Sequence, residues 1–177
     1  DMMHGTINVQ SEPGKGTKFF IDIAFPLAEK TEMQPVQKKN SNSQKTLLNK
    51  RVLLVEDNEL NAEIATKILE NHGLYVDRAE DGKKCLEQLK KMPDLYYDVI
   101  LMDIQMPEMD GYETTEAIRN GGTKNADIPI IAMTANAFEE DKREAIAAGM
   151  NEHIAKPVQA DKLLSILSEV IRQQEKY

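Results

Sequence analysis

From Arg51 onward, short apolar and β-branched runs alternate with longer stretches whose apolar positions recur every three or four residues. RVLLV is followed by NAEIATKILENHG, LYVDRA by GKKCLEQLKKM, YDVILM by GYETTEAIRN, IPIIAM by AFEEDKREAIAAG, and HIA by KLLSILSEVIRQ. That rhythm predicts five strand-then-helix units. Such alternation needs crossover connections, and therefore a parallel sheet covered by helices on both faces. The first and third strands, VLLV and VILM, are apolar throughout, as burial on both sides requires. Gly73, Pro93 and Gly149 fall where helices should stop. The expected fold of residues 51–177 is α/β: five βα units in a doubly wound parallel sheet.

The first 50 residues follow other rules. Ile7 and Val9 alternate with polar neighbours, SEPGKGT carries turn residues, and Phe19, Ile21, Ile23 and Phe25 alternate in a return strand, so residues 1–27 read as a β-hairpin. An isolated hairpin is marginal in water, so its apolar face needs a partner, and the segment reads as the tail of a larger domain. Residues 28–50 are rich in Gln, Asn, Ser and Lys, with five lysines against two glutamates. That is the composition of a flexible linker.

Composition narrows the chemistry. The 177 residues hold one cysteine and three scattered histidines, which excludes a disulfide framework and a cysteine-based zinc cluster within the chain. A net charge of −8 disfavours a nucleic-acid partner. No run reaches the length of a membrane span, and the N-terminus lacks a signal-peptide layout. The expectation is a soluble, cytoplasmic chain without direct membrane contact, whatever anchors a longer parent protein.

In doubly wound sheets, ligands bind beyond the carboxyl ends of the strands where strand order reverses. The first strand of the alternating region ends in Val55-Glu56-Asp57-Asn58 and the third in Met102-Asp103-Ile104-Gln105. If these strands are neighbours, Glu56, Asp57 and Asp103 share one pocket. Crowded carboxylates want a hard divalent cation with oxygen ligands, and Mg²⁺ fits better than zinc. The fourth strand ends at Thr134 and the fifth is followed by Lys156-Pro157, which brings a hydroxyl and an ammonium to the same rim. A metal, a lysine and a hydroxyl around one aspartate suit a phosphoryl group, with Asp103 the nucleophile toward phosphorus.

VLLVEDNELN, DVILMDIQMPEMDGYE, PIIAMTANA and GMNEHIAKP resemble the motifs of the response-regulator receiver domain, in order, from residue 51 to about 172, which implies a flavodoxin-like (βα)5 doubly wound parallel sheet of strand order 2-1-3-4-5. The resemblance implies that Asp103 is the phosphoacceptor, that Asp57 ligates the metal directly and Glu56 mainly through water, and that the Gln105 carbonyl completes the protein ligands. It implies that Thr134 hydrogen-bonds the phosphoryl group and Lys156 pairs with it, with a cis Lys156-Pro157 bond. The chain departs from the family at His153, where receivers commonly carry a Tyr or Phe switch. An imidazole changes charge near neutral pH, so a weaker or pH-sensitive response is expected through Thr134 and His153. MMHGTINVQSEPGKGTKFFIDIAFPL is similar to the last hairpin of the ATP-binding domain of sensor histidine kinases. The order hairpin, tether, receiver resembles the C-terminus of a hybrid sensor histidine kinase.

The implied function is a phosphorelay receiver that takes a phosphoryl group from phosphohistidine onto Asp103 with Mg²⁺. Its implied partners are a histidine kinase dimerisation domain and a histidine-phosphotransfer protein, which the family docks on the first helix near Asn58, Leu60, Asn61, Ile64 and Ala65. Alone, this chain should show no kinase activity and at most slow self-dephosphorylation, although its parent resembles an ATP-dependent histidine kinase. An aspartyl-phosphate phosphohydrolase would want an acid-base aspartate where Gln105 stands. A nucleotide or flavin binder would want a glycine-rich turn where Glu-Asp-Asn stands. A phosphorylation-independent interaction module would not need the acidic residues. Asp81 and Asp110 are read as helix caps, His72 as a helix-end cap and Cys85 as a packed side chain.

Overall fold

The computed structural model describes residues 6–22, 46–135 and 139–174. The chain separates into two compact units, 1–39 and 40–177.

In the first unit, β1 (Thr6–Glu12) and β2 (Gly16–Asp22) pair antiparallel, with Val9 opposite Phe19 and Ile7 opposite Ile21. The period of two puts these four side chains on one face. All four are more than half exposed. The expected continuation of the return strand through Ile23 and Phe25 lies outside the described residues, as does most of the polar stretch after it.

The second unit holds β3 (Arg51–Val55), α1 (Glu59–Glu70), β4 (Tyr75–Ala79), α2 (Gly82–Lys91), β5 (Val99–Asp103), α3 (Gly111–Arg119), a 3₁₀ turn (Lys124–Asp127), β6 (Ile130–Thr134), α4 (Glu139–Ala147), β7 (Glu152–Ala155) and α5 (Ala160–Gln174). The five strands are parallel in the order β4-β3-β5-β6-β7, which is the expected 2-1-3-4-5 counted within the unit. β5 and β6 are buried at every residue because helices cover both faces. One core layer packs Val52, Leu54 and Leu101 against α1 and α5, and the other packs Leu53, Val55 and Ile100 with Cys85 and Leu89 of α2 and Ile118 of α3. Among the described residues, no helix is long and apolar enough to cross a membrane.

The end of the polar stretch is not all tether. Leu47 is buried in the layer that holds α1, Asn49 donates its backbone N–H to the Gly73 carbonyl, and Lys50 pairs with Asp98 at 3.0 Å. Polar composition masked a single apolar anchor.

Local chemistry ends the strands and starts the helices where the site needs them. Asn58 caps α1 by accepting from the Asn61 N–H at 3.1 Å, and Asp81 caps α2 by accepting from the Lys84 N–H at 2.7 Å. Asp110 and Glu113 form a reciprocal capping box on α3. Gly111 opens that helix against the end of β5: a Cβ there would stand 2.4 Å from the Asp103 carbonyl oxygen. Any other residue would push α3 off the backbone that carries Asp103. Gly73 ends α1 at φ 82°, and the His72 ring nitrogen Nδ1 lies 2.7 Å from the Ile68 carbonyl.

Candidate functional site

The parallel register places the candidate side chains in one row. Val55 pairs with Met102, so Glu56 and Asp57 emerge beside Asp103, the last residue of β5. Asp103 pairs with Met133, one residue before Thr134, and Thr134 pairs with Ala155, one residue before Lys156. Four strands thus deliver their ends to one rim, as expected at the reversal of strand order.

Lys156 is the hub. Its Nζ donates to Asp103 Oδ2 at 2.6 Å and lies 2.7 Å from Glu56 Oε2, while its own side chain is 21 % exposed. Its backbone N–H donates to the Thr134 carbonyl at 2.7 Å, and the bond to Pro157 is cis. Glu56 and Asp103 are 2 % and 4 % exposed, and Thr134 is 3 % exposed. Asp57 is exposed. Ligand oxygens of Glu56, Asp57 and Asp103 all lie within 4.8 Å of one another. Three hard oxygen donors at that spacing fit a divalent cation such as Mg²⁺.

Burial pushes the Asp103 carboxyl above the usual carboxylate range. The Lys156 hydrogen bond and charge oppose that rise, the Glu56 charge adds to it, and the Gln105 amide opposes it again. For Lys156, burial alone would lower the value, but the hydrogen bonds and charges of Asp103 and Glu56 outweigh it and the ammonium is held above its ordinary value. One ammonium therefore serves a cluster that carries up to three negative charges.

The remaining residues take defined places. The Gln105 N–H donates to Asp103 Oδ1 at 3.2 Å. The His153 Nδ1 lies 3.1 Å from Glu152 Oε1, and His153 pairs in register with Ala132, two residues before Thr134. The structure also shows two residues whose roles sequence reasoning missed. The Asn61 side-chain amide donates to Glu56 Oε1 at 3.0 Å, and Arg78 reaches the backbone of the acidic loop from β4. Asn61 was readable only as a neighbour on the first helix, and nothing in VDRA marks Arg78.

Beside this rim a cavity of about 350 Å³ lies among Asn61, Ile64, Ala65, Met133, Pro157 and Val158, with Glu56 and Lys156 at its edge. Leu60 and Ile64 on α1 are 64 % and 50 % exposed, whereas Ala65 is buried. An apolar, helix-lined recess therefore adjoins the buried carboxylates.

Comparison with known proteins places this arrangement. The family model described as the response regulator receiver domain matches residues 52–168. The autoinducer 2 sensor kinase/phosphatase of Vibrio vulnificus is 38 % identical over 173 residues, which is 92 % of this chain and 18 % of that protein. The chain thus spans about a fifth of the length of that relative. The receiver domain of a sensor histidine kinase from Pseudomonas aeruginosa, solved with a magnesium ion coordinated in the active site cleft, superposes with a TM-score of 0.63 at 36 % identity, covering 70 % of this chain and 98 % of that one. A chain from the co-crystal of a Saccharomyces cerevisiae histidine phosphotransfer signalling protein with the receiver domain of its downstream response regulator gives a TM-score of 0.66 at 29 % identity, covering 72 % of this chain and 92 % of that one.

Proposed function

The chain belongs to the response regulator receiver family, and from that premise we propose that Asp103 is its phosphoacceptor in a two-component phosphorelay. The observation that carries this reading is the contact of one ammonium, Lys156 Nζ, with both Asp103 and Glu56 while Asp57 stands within ligand reach. The phosphoryl donor is a phosphohistidine: the Asp103 carboxylate attacks phosphorus, the P–O bond forms as the P–N bond breaks, and the imidazole leaves.

Glu56, Asp57 and Asp103, with the Gln105 carbonyl, would hold Mg²⁺, as the magnesium-bound relative supports. When bound, the cation neutralises charge that builds on the phosphoryl oxygens. Lys156 supplies a further positive charge and has three N–H donors, of which Asp103 and Glu56 engage two. The Gln105 N–H and Lys156 fix the Asp103 carboxylate before attack, so little reorganisation is needed. Thr134 would receive a phosphoryl oxygen through its hydroxyl and, with His153, report phosphorylation through β6 and β7.

The partner of this reading is a histidine-phosphotransfer protein or a kinase dimerisation domain, docked on α1. The exposed Leu60 and Ile64 beside the recess support that placement, and the yeast complex offers a relative in the same role. We further propose that residues 1–27 are the terminal hairpin of a kinase ATP-binding domain, that 28–50 is the linker apart from its packed end, and that 51–177 is a receiver on the cytoplasmic side of a hybrid sensor histidine kinase. The match to the Vibrio sensor kinase across 92 % of the chain supports that order. This piece alone would accept and slowly lose a phosphoryl group without kinase activity. Incubation with Mg²⁺ and beryllofluoride tests the site: amide shifts around Asp103, Thr134 and Lys156 are expected, and their absence would defeat the reading.

A further inference from the structure

A side chain from the neighbouring strand grips the acidic loop. Arg78 stands opposite Leu54 near the end of β4. Its Nε and Nη2 donate to the Glu56 carbonyl at 3.2 and 3.1 Å, and Nη2 also donates to the Asp57 carbonyl at 3.0 Å. A planar guanidinium presents several donors in a fixed fork and can take two consecutive carbonyls at once, which a compact ammonium on a flexible stem does poorly. Pinning both carbonyls fixes the peptide planes that follow Glu56 and Asp57, and with them the directions in which the side chains leave the backbone.

The consequence falls mainly on Asp57. Asn61 and Lys156 hold the Glu56 carboxylate, and Lys156 and the Gln105 N–H hold that of Asp103. Among the described residues, no donor reaches the Asp57 carboxylate. Its place within 4.8 Å of the other two therefore depends on its backbone.

We infer that Arg78 is a positioning residue of the cation site, which aims Asp57 by clamping the carbonyls of Glu56 and Asp57. The inference rests on the reading of the three carboxylates as a Mg²⁺ site. Two effects of Arg78 have opposite signs. As a bare positive charge near the loop it would weaken cation binding, and as a clamp it strengthens it. The engagement of both carbonyls by the fork favours the clamp, because orientation of ligands by their outer hydrogen-bond partners typically governs about 10–100-fold in metal affinity.

The sign therefore provides the test. Mg²⁺ is titrated into the intact chain and into Arg78→Gln and Arg78→Lys, followed by amide chemical shifts, with melting recorded without metal. Both variants are expected to bind Mg²⁺ roughly tenfold more weakly than the wild type. Arg78→Lys keeps the charge and should fall at least as far as Arg78→Gln. In metal-free protein the amide of Asn58 should exchange faster in both. Arg78→Gln binding Mg²⁺ as tightly as the wild type, or more tightly, would overturn the inference, as would full rescue by Arg78→Lys. A spectrum showing loss of the fold in both variants would make Arg78 a stability residue and also overturn it. A wild type that takes up no Mg²⁺ would defeat the cation-site reading itself, and this shows before any variant is compared.

Discussion

The two ends of the parallel sheet handle charge in opposite ways. At the amino end, Asp98 accepts from Lys50 Nζ at 3.0 Å and from the Arg51 N–H at 2.7 Å, the Tyr97 hydroxyl donates to Asp77 at 3.0 Å, and Arg51 lies over the rings of Tyr75 and Tyr96. Each of these four charged side chains meets an opposite charge, a hydroxyl or an aromatic ring. At the carboxyl end, Glu56, Asp57 and Asp103 crowd together, and one ammonium contacts two of the three. The paired charges at one end bridge the starts of the strands, and in the proposed reading the imbalance at the other end suits a cation and a phosphoryl group. The same fold spends its polar groups on stability at one end and on chemistry at the other.

Substitutions at each end should break this contrast differently. Lys156→Ala removes the cation facing Asp103, and phosphorylation by acetyl phosphate with Mg²⁺ should slow about 100-fold while Mg²⁺ binding persists. An unchanged rate would show that Lys156 is structural like its amino-end counterparts. At the amino end, Asp98→Ala leaves the Arg51 N–H and Lys50 without their acceptor and should cost about 1–3 kcal/mol in urea unfolding. Its phosphorylation rate should match the wild type, and a large loss of rate with little loss of stability would erase the distinction.

A smaller effect concerns stability at the carboxyl end itself. Burial holds the Asp103 carboxyl above its unfolded value, so the folded chain retains that proton to higher pH than the unfolded chain does. The associated stability is present at low pH and is lost as pH rises from the ordinary carboxylate value through the folded one. In metal-free buffer at neutral pH, Asp103→Asn should melt a few degrees higher than the wild type, which for a domain of this size corresponds to a gain of about 1 kcal/mol. Saturating Mg²⁺ should narrow the gap, because the bound cation stabilises the wild type. A lower melting point for Asp103→Asn without metal would contradict the charge-imbalance argument.

Much of the second unit was readable because its signals are local. The all-apolar VLLV and VILM announced strands buried on both faces, and Asp81 and Asp110 announced helix starts that the structure shows as caps. The row of Glu56, Asp103, Thr134 and Lys156 followed from strand ends and one rule of topology. Side chains that reach across strands were not readable. Arg78 looks in sequence like any edge-strand arginine, and only the β3–β4 register brings it over the Glu56 and Asp57 carbonyls. Leu47 was hidden in the same way, because one buried leucine within a polar stretch has no periodicity to reveal it. The necessity of Gly111 emerged only once the approach of α3 to the Asp103 backbone was visible.

The most direct measurement of the central claim is intact-protein and peptide mass spectrometry after incubation with acetyl phosphate, with and without Mg²⁺. The expected result is one phosphoryl group per chain, located on Asp103, dependent on Mg²⁺ and absent from Asp103→Asn. A phosphoryl group on another residue, or uptake by Asp103 that persists after removal of divalent cations, would contradict it.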